Sequence, residues 1–234
     1  MIKKFDSKNM GSSNHGWLTS KFHFSFADYF NRYNMNFGVL RVINDDIVQA
    51  QTGFDTHPHK DMEIISYVVS GELTHKDSMG NEKTISRGDF QYMSAGTGVE
   101  HSEYNNNPTT PVRLLQIWIL PDKKGHSPNY GDFTYDASQR KNTFFHAVSK
   151  KGSNSPIEIN QDVNIFVSEI SKGESLNFNL KENRQLYLVQ IEGISNINSH
   201  IMNEQDALTS DKENLNITAI EDTHLLIIEM AKSN

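Results

Sequence analysis

The chain has 234 residues, a formal net charge of −7 and no cysteine, a length that accommodates one large or two compact domains. Without thiols there are no thiolate metal sites, iron–sulfur clusters or disulfides, so any metal must be held by nitrogen and oxygen. The acidic balance and the absence of a Lys/Arg-rich block argue against nucleic acid as a partner, because that affinity rests on neutralising phosphates.

The N-terminal segment MIKKFDSKNMGSSNHGW has two lysines but no following apolar run of signal-peptide length. Nothing approaches the roughly 18 apolar residues of a membrane span, so a soluble, cytoplasmic protein is expected. KFHFSF then alternates aromatic and polar residues, the period of a half-buried strand. Phe22, Phe24 and Phe26 share a face in that reading and are expected to be core. FGVLRVIN and DIVQAQ follow as strands.

GFDTHPHKDME carries His57 and His59 two residues apart, which on a strand aims both imidazoles to one side. MEIISYVVSG continues as a strand, and ELTHKDSMGNEKTIS reads as a hairpin turning at DSMGN. After the glycine-rich SAGTG bend, GTGVEHSEYN places His101 and Glu103 two apart on a second strand. If the two strands are neighbours, three imidazoles and one carboxylate converge. Such a set suits iron, nickel, cobalt, copper or manganese and leaves open positions, the mark of catalysis rather than support. Glu63 shares parity with the first two histidines. On an unbroken strand it faces inward as a partner for a ligand histidine, and otherwise it is a strand-end charge in solvent. The other histidines, His75 among them, are expected in ordinary surface or hydrogen-bonded roles.

PVRLLQIWILP reads as a long buried strand, and the polar loop KKGHSPNYGDF marks a boundary. From Asn142 onward short strands recur with turn formers between them, the pattern of a sandwich or barrel. QLYLVQIEG at 185–193 echoes MEIISYVVSG at 62–71, a faint internal repeat. Asn179 and Lys181, then Thr218 and Ile220, fall where a second ligand set would lie, and they cannot supply one.

The run from Gly53 to Asn105 resembles the two motifs of the cupin superfamily. More narrowly, NHGWL, FHFSFADYF, LRVINDD, THPHKDMEI and MSAGTGVEHSE resemble the pirin family, closest to its bacterial members that act as quercetin 2,3-dioxygenases. The likeness is dense over about the first 130 residues and weak beyond. It implies an all-β fold of two tandem cupin-type β-barrels, a jelly-roll bicupin. Residues 1–135 would form the metal-binding barrel, and 136–234 a cupin-like barrel without a metal set. Many cupins take a carboxylate ligand at the place of Glu63, whereas pirins take it from the second motif. The implied ligands are therefore His57, His59, His101 and Glu103, holding one divalent transition metal per chain. Fe(II) is the first expectation, with Ni, Co, Cu, Mn or Zn as alternatives.

The implied activity is opening of the central ring of flavonols such as quercetin by dioxygen with loss of carbon monoxide. Glu103 would be ligand and proton acceptor together. Two alternatives stand beside it: a non-catalytic metal-binding regulator of a transcription factor, and a cupin isomerase or lyase. The expected partners are a small aromatic substrate and dioxygen, with monomer or dimer left undecided.

Overall fold

The computed structural model describes residues 1–232. Alternating apolar and polar residues between Gly- and Asn-rich turns produce strands almost throughout. In chain order these begin with β1 (Lys3–Phe5), β2 (Gly11–Asn14), β3 (Leu18–Phe22), β4 (Leu40–Val48), β5 (Thr52–His59) and β6 (Glu63–Ser70). They continue with β7 (Glu72–Asp77), β8 (Glu82–Ser86), β9 (Phe90–Ser94), β10 (Val99–Asn105), β11 (Val112–Ile119) and β12 (Asn129–Phe133). Among the described residues no helix is long and apolar enough to cross a membrane.

Two compact units form. One comprises Gly11–Tyr135 with Ile159–Gln161, the other Met1–Met10 with Asp136–Glu158 and Asp162–Asn234. The first holds a seven-stranded sheet in the order β12-β9-β6-β11-β4-β3-β2 and a four-stranded sheet in the order β5-β10-β7-β8. Hydrogen-bonded neighbours are antiparallel, as in β6–β11 and β10–β5. Leu18, Val48, Val68, Leu73, Ile85, Val112 and Leu114 form a buried apolar cluster from six strands of the two sheets. β6 is apolar nearly throughout, EIISYVVS, because it lies between two neighbours in the sheet interior. FGVLRVIN and DIVQAQ prove to belong largely to one strand, β4, since Asn44, Asp45 and Asp46 are paired on both sides and do not break it.

The second unit repeats this plan. In its seven-stranded sheet Arg184–Glu192 lies between Ala207–Ser210 and Thr223–Ala231, as β6 lies between β9 and β11. Its four-stranded sheet is ordered Ser175–Phe178, Leu215–Ala219, Ser195–Ile197, His200–Met202, matching β5, β10, β7, β8. The edge strand differs in origin: the first barrel uses β12, and the second takes β1 from the chain's start, with Lys4 paired to Asp206 at 2.9 Å.

The second barrel's interior is filled where the first is open. Asn179 and Lys181 lie beyond the end of the strand Ser175–Phe178. Leu215, Ile217 and Ala219 are buried in one apolar cluster with Phe178, and partly buried Leu176 packs against it.

Candidate functional site

β10 pairs antiparallel with β5, and His101 stands directly opposite His57. Burial alternates strictly along β10, so His101 and Glu103 point inward while Glu100 and Tyr104 point out. Between His101 and Glu103 the register slips, with Glu103 opposite Phe54. This bulge lets the chain re-aim side chains at a site, and it leaves the Asp55 carbonyl 2.7 Å from His57 Nδ1. His57, His59 and His101 offer donor atoms all within 4.8 Å of one another. Their ring centroids are 4.5 to 4.9 Å apart.

The position of each proton decides what this cluster can hold. A carbonyl only accepts, so His57 carries its proton on Nδ1 and keeps a lone pair on Nε2. On the other side, His75 Nε2 lies 3.1 Å from Asp77 Oδ2, and Gln91 Nε2 lies 2.9 Å from His75 Nδ1. Burial pushes the Asp77 carboxyl up, but hydrogen bonds from Asn81 and His75 outweigh it and hold the group below the usual carboxylate range. The carboxylate therefore accepts from His75 Nε2, and His75 Nδ1 is left as an acceptor. His101 Nδ1, 3.3 Å from it, shares that acceptor with the Gln91 amide as a longer second donor, so His101 too keeps its lone pair on Nε2.

His57 Nε2 and His101 Nε2 face each other at 3.1 Å. Two lone pairs in contact without a proton repel, and a bound cation relieves them. Burial, followed by the neighbouring imidazoles, lowers His59 to about 4 and His101 to about 3, which keeps both rings neutral, each with one nitrogen lone pair available. A second grouping, His75, His101 and Glu103, is equally compact. Both nitrogens of His75 are already engaged, so the set with free donors is His57, His59 and His101, with Glu103 next to it. Those residues fit a divalent transition metal.

Glu103 is held from the facing sheet. Ser66 Oγ donates to its Oε1 at 2.8 Å and Gln116 Nε2 to its Oε2 at 2.7 Å. Asn44, Gln116, Ser66 and Gln91 stand in register across β4, β11, β6 and β9. One polar row thus holds both Glu103 and His75. Glu63 does not belong to it. β5 ends at His59 and Asp61 has a positive φ of 51°, so the parity linking Glu63 to the histidines is broken. Its buried carboxylate instead accepts from Tyr92 at 2.7 Å, Ser94 at 2.7 Å and the Asn160 backbone at 3.0 Å. It is neither a partner of a cluster histidine nor a solvent-facing charge.

A cavity of about 260 Å³ opens onto the cluster. Leu18, Phe26, Phe54, Ile64 and Trp118 supply its apolar wall, and Ser20, Asn44, Asp46 and Gln116 its polar one. Phe26 packs edge-on against Trp118 at 5.3 Å, and Trp118 against His59 at 4.9 Å. Phe26, expected in the core with Phe22 and Phe24, lies beyond the end of β3 and lines this cavity instead. The burial of Asp46 pushes its carboxyl up to about 7, against a Ser20 hydrogen bond and with Asp45 and Glu103 adding to the rise. His75 takes the hydrogen-bonded role expected of it, but its link to the cluster, and Asp77 and Gln91 with it, escaped the sequence reading, although His75 and Asp77 have the same two-residue spacing as the ligand pairs.

A cation-ready imidazole and carboxylate cluster inside the first of two barrels built to one plan defines a metal-type bicupin. The chain belongs to the pirin family: the Pirin family model matches residues 4–119, and the model for the quercetinase C-terminal cupin domain matches residues 146–230. It is 38% identical over 231 residues to a quercetin 2,3-dioxygenase of Escherichia coli K12, covering 98% of this chain and 99% of the relative. A pirin-like protein of Caulobacter vibrioides is 40% identical over 233 residues, 99% of this chain and all of the relative. The crystal structure of YhhW from Escherichia coli superposes with a TM-score of 0.94 at 37% identity, covering 100% of this chain and 99% of that one. A structure of that bacterial pirin in complex with nickel(II) gives 0.93 at 35% identity, covering all of both chains.

Proposed function

We propose that the protein is a metal-dependent dioxygenase that opens the central ring of flavonols such as quercetin, with His57, His59, His101 and Glu103 holding one divalent metal. The observation that carries this reading is the pair of facing Nε2 lone pairs at the wall of an aromatic-lined cavity. The names of the relatives supply the substrate class. Fe(II) remains the first expectation, and the nickel complex of a relative keeps nickel beside it.

When bound, the metal would favour the deprotonated form of a ligand hydroxyl and bring dioxygen beside it. The chain's own residues do the rest. Phe26, Phe54 and Trp118 receive a flat ring and exclude water from it. Glu103, steadied by Ser66 and Gln116, uses one lone pair on each oxygen for those donors and keeps another for the substrate's 3-hydroxyl proton. In the overall reaction two carbon–carbon bonds of the central ring break. Both oxygen atoms enter the ester product, one ring carbon leaves as carbon monoxide, and the proton returns to the product.

The test is oxygen uptake and carbon monoxide release with quercetin, on metal-free protein and protein loaded with iron or nickel. One carbon monoxide per oxygen consumed, only in the loaded protein, is the expected result. Glu103→Gln should lower turnover by about 10²- to 10⁴-fold, more steeply than it lowers metal content. Metal uptake with no turnover would favour the regulator, and conversion without oxygen uptake the isomerase or lyase.

A further inference from the structure

Two buried acceptors in the cavity wall have no partner. Asn44 and Asp46 stand two apart on β4 and are each 3% exposed, and both line the cavity with the histidine cluster. Asn44 Oδ1 and Asp46 Oδ1 are buried without a hydrogen bond. Asp45, between them, is not in this position, because Arg113 grips both of its oxygens at 2.9 and 2.7 Å. The strand thus carries one carboxylate paired with a cation and, one residue on, a second turned to the cavity without one.

Leaving a buried oxygen unpartnered is costly, and a group of this kind persists where a ligand completes it. Asn44 Oδ1 only accepts, and Asp46 Oδ1 accepts in the carboxylate form, so the group that completes both is a donor. The apolar side of the cavity admits a flat ring, and on a flavonol ring the uncharged donors are phenolic hydroxyls. Neighbouring carboxylates Asp45 and Glu103 disfavour an anionic substituent at this wall. Trp118 Nε1, also buried without a partner, offers one donor from the same cavity, suited to a ring oxygen or carbonyl.

We propose that Asp46, with Asn44 beside it, is the specificity-determining group of the pocket, accepting hydrogen bonds from hydroxyls of a polyhydroxylated aromatic ligand. These hydroxyls are additional to the oxygens that meet the metal. The proposal rests on the flavonol reading and refines it: a chelating oxygen pair alone does not satisfy the pocket, and a ligand without further hydroxyls leaves Asp46 Oδ1 buried and unmet, Ser20 serving the carboxyl elsewhere. A site built to bond a substrate hydroxyl discriminates strongly against the analogue lacking it for this reason.

Two probes separate the contributions. Quercetin and 3-hydroxyflavone share the 3-hydroxy-4-oxo pair, and only quercetin has additional hydroxyls. Binding of each to nickel-loaded full-length protein is measured without oxygen, by the shift of the flavonol absorbance. Wild type should prefer quercetin by about 10- to 100-fold, the span of one hydrogen bond to a charged or strongly polar group. Asp46→Ala should cut quercetin affinity at least tenfold more than it cuts 3-hydroxyflavone affinity. Asp46→Asn, close in shape and retaining one carbonyl oxygen, should give a smaller loss of the same sign, and it decides the matter if the alanine variant does not fold. Equal affinity for the two probes in wild type, or an unchanged preference in the folded variants, overturns the role of Asp46 and leaves the flavonol reading standing. Failure of loaded wild type to bind either probe overturns the flavonol reading and this refinement with it.

Discussion

At the scale of single residues, function rests on where a few protons sit. Asp77 never reaches the cluster, yet its carboxylate determines which nitrogen of His75 is protonated and, through that ring, which nitrogen of His101 is free. Asp77→Asn puts a donor where the carboxylate accepts, so His75 and His101 lose their fixed tautomers. Metal affinity should fall by about 10- to 100-fold, the usual cost of disturbing a ligand's hydrogen-bond partner, as read by competition with a chelator of known affinity. His23 illustrates a purely structural histidine. It is buried, and burial lowers its pKa to about 4, with Asp45 opposing and Lys21 assisting. The folded value lies below the unfolded one of about 6.5, so the unfolded chain binds the proton first as pH falls. The stability His23 contributes is present above about pH 6.5 and lost towards pH 4, by up to about 3 kcal/mol. Denaturant midpoints measured from pH 7 to 4 should therefore fall more steeply in wild type than in His23→Gln, whose amide does not titrate.

At the scale of elements, the pairing of β5 with β10 is what makes two sequence motifs into one site. A Cβ at Gly53 would lie 2.3 Å from the Glu103 carbonyl oxygen and 2.6 Å from the Tyr104 Cα, both backbone atoms that cannot swing aside. Gly53→Ala should force β10 away from β5, cost on the order of 1–3 kcal/mol of stability and move Glu103. A thermal melt would register the first effect and a lowered metal content the second. Unchanged values in both would mean the two strands tolerate a wider spacing than this structure has. Sequence parity served well along β10, where one strand runs unbroken from Val99 to Asn105. It misled at Glu63, because Lys60, Asp61 and Met62 interrupt the strand and reset which side faces inward.

At the scale of the whole molecule, one sheet plan has been used twice with different interiors. The metal-type groups found among the described residues all draw on the four-stranded sheet of the first barrel. The second barrel's matching strands carry Leu176, Phe178, Leu215 and Ile217. Elemental analysis of loaded protein should give one metal per chain, and two would contradict this difference. The second barrel also borrows β1 from the N-terminus. Deleting residues 1–10 should expose the edge strand Ala207–Ser210 and leave Asp206 without Lys4. The truncated protein should show a lowered first unfolding transition and keep its one metal. Loss of the metal in that variant would show that the first barrel depends on this strand as well.

What the sequence determined by itself was local chemistry and its period. The two-residue spacings of His57 with His59 and His101 with Glu103, the alternation in the strands and the motifs of the pirin family were legible because each lies within one short extended segment, where spacing translates directly into direction. The tertiary structure alone decided everything that needs two segments to meet. It joined Asn44, Gln116, Ser66 and Gln91 into one row through strand register, assigned Glu63 to Tyr92, Ser94 and Asn160, turned Phe26 into a cavity wall, and brought the chain's first strand to its second barrel. Register and crossover connections are set by the summed packing of distant side chains, and no local window of sequence contains that sum.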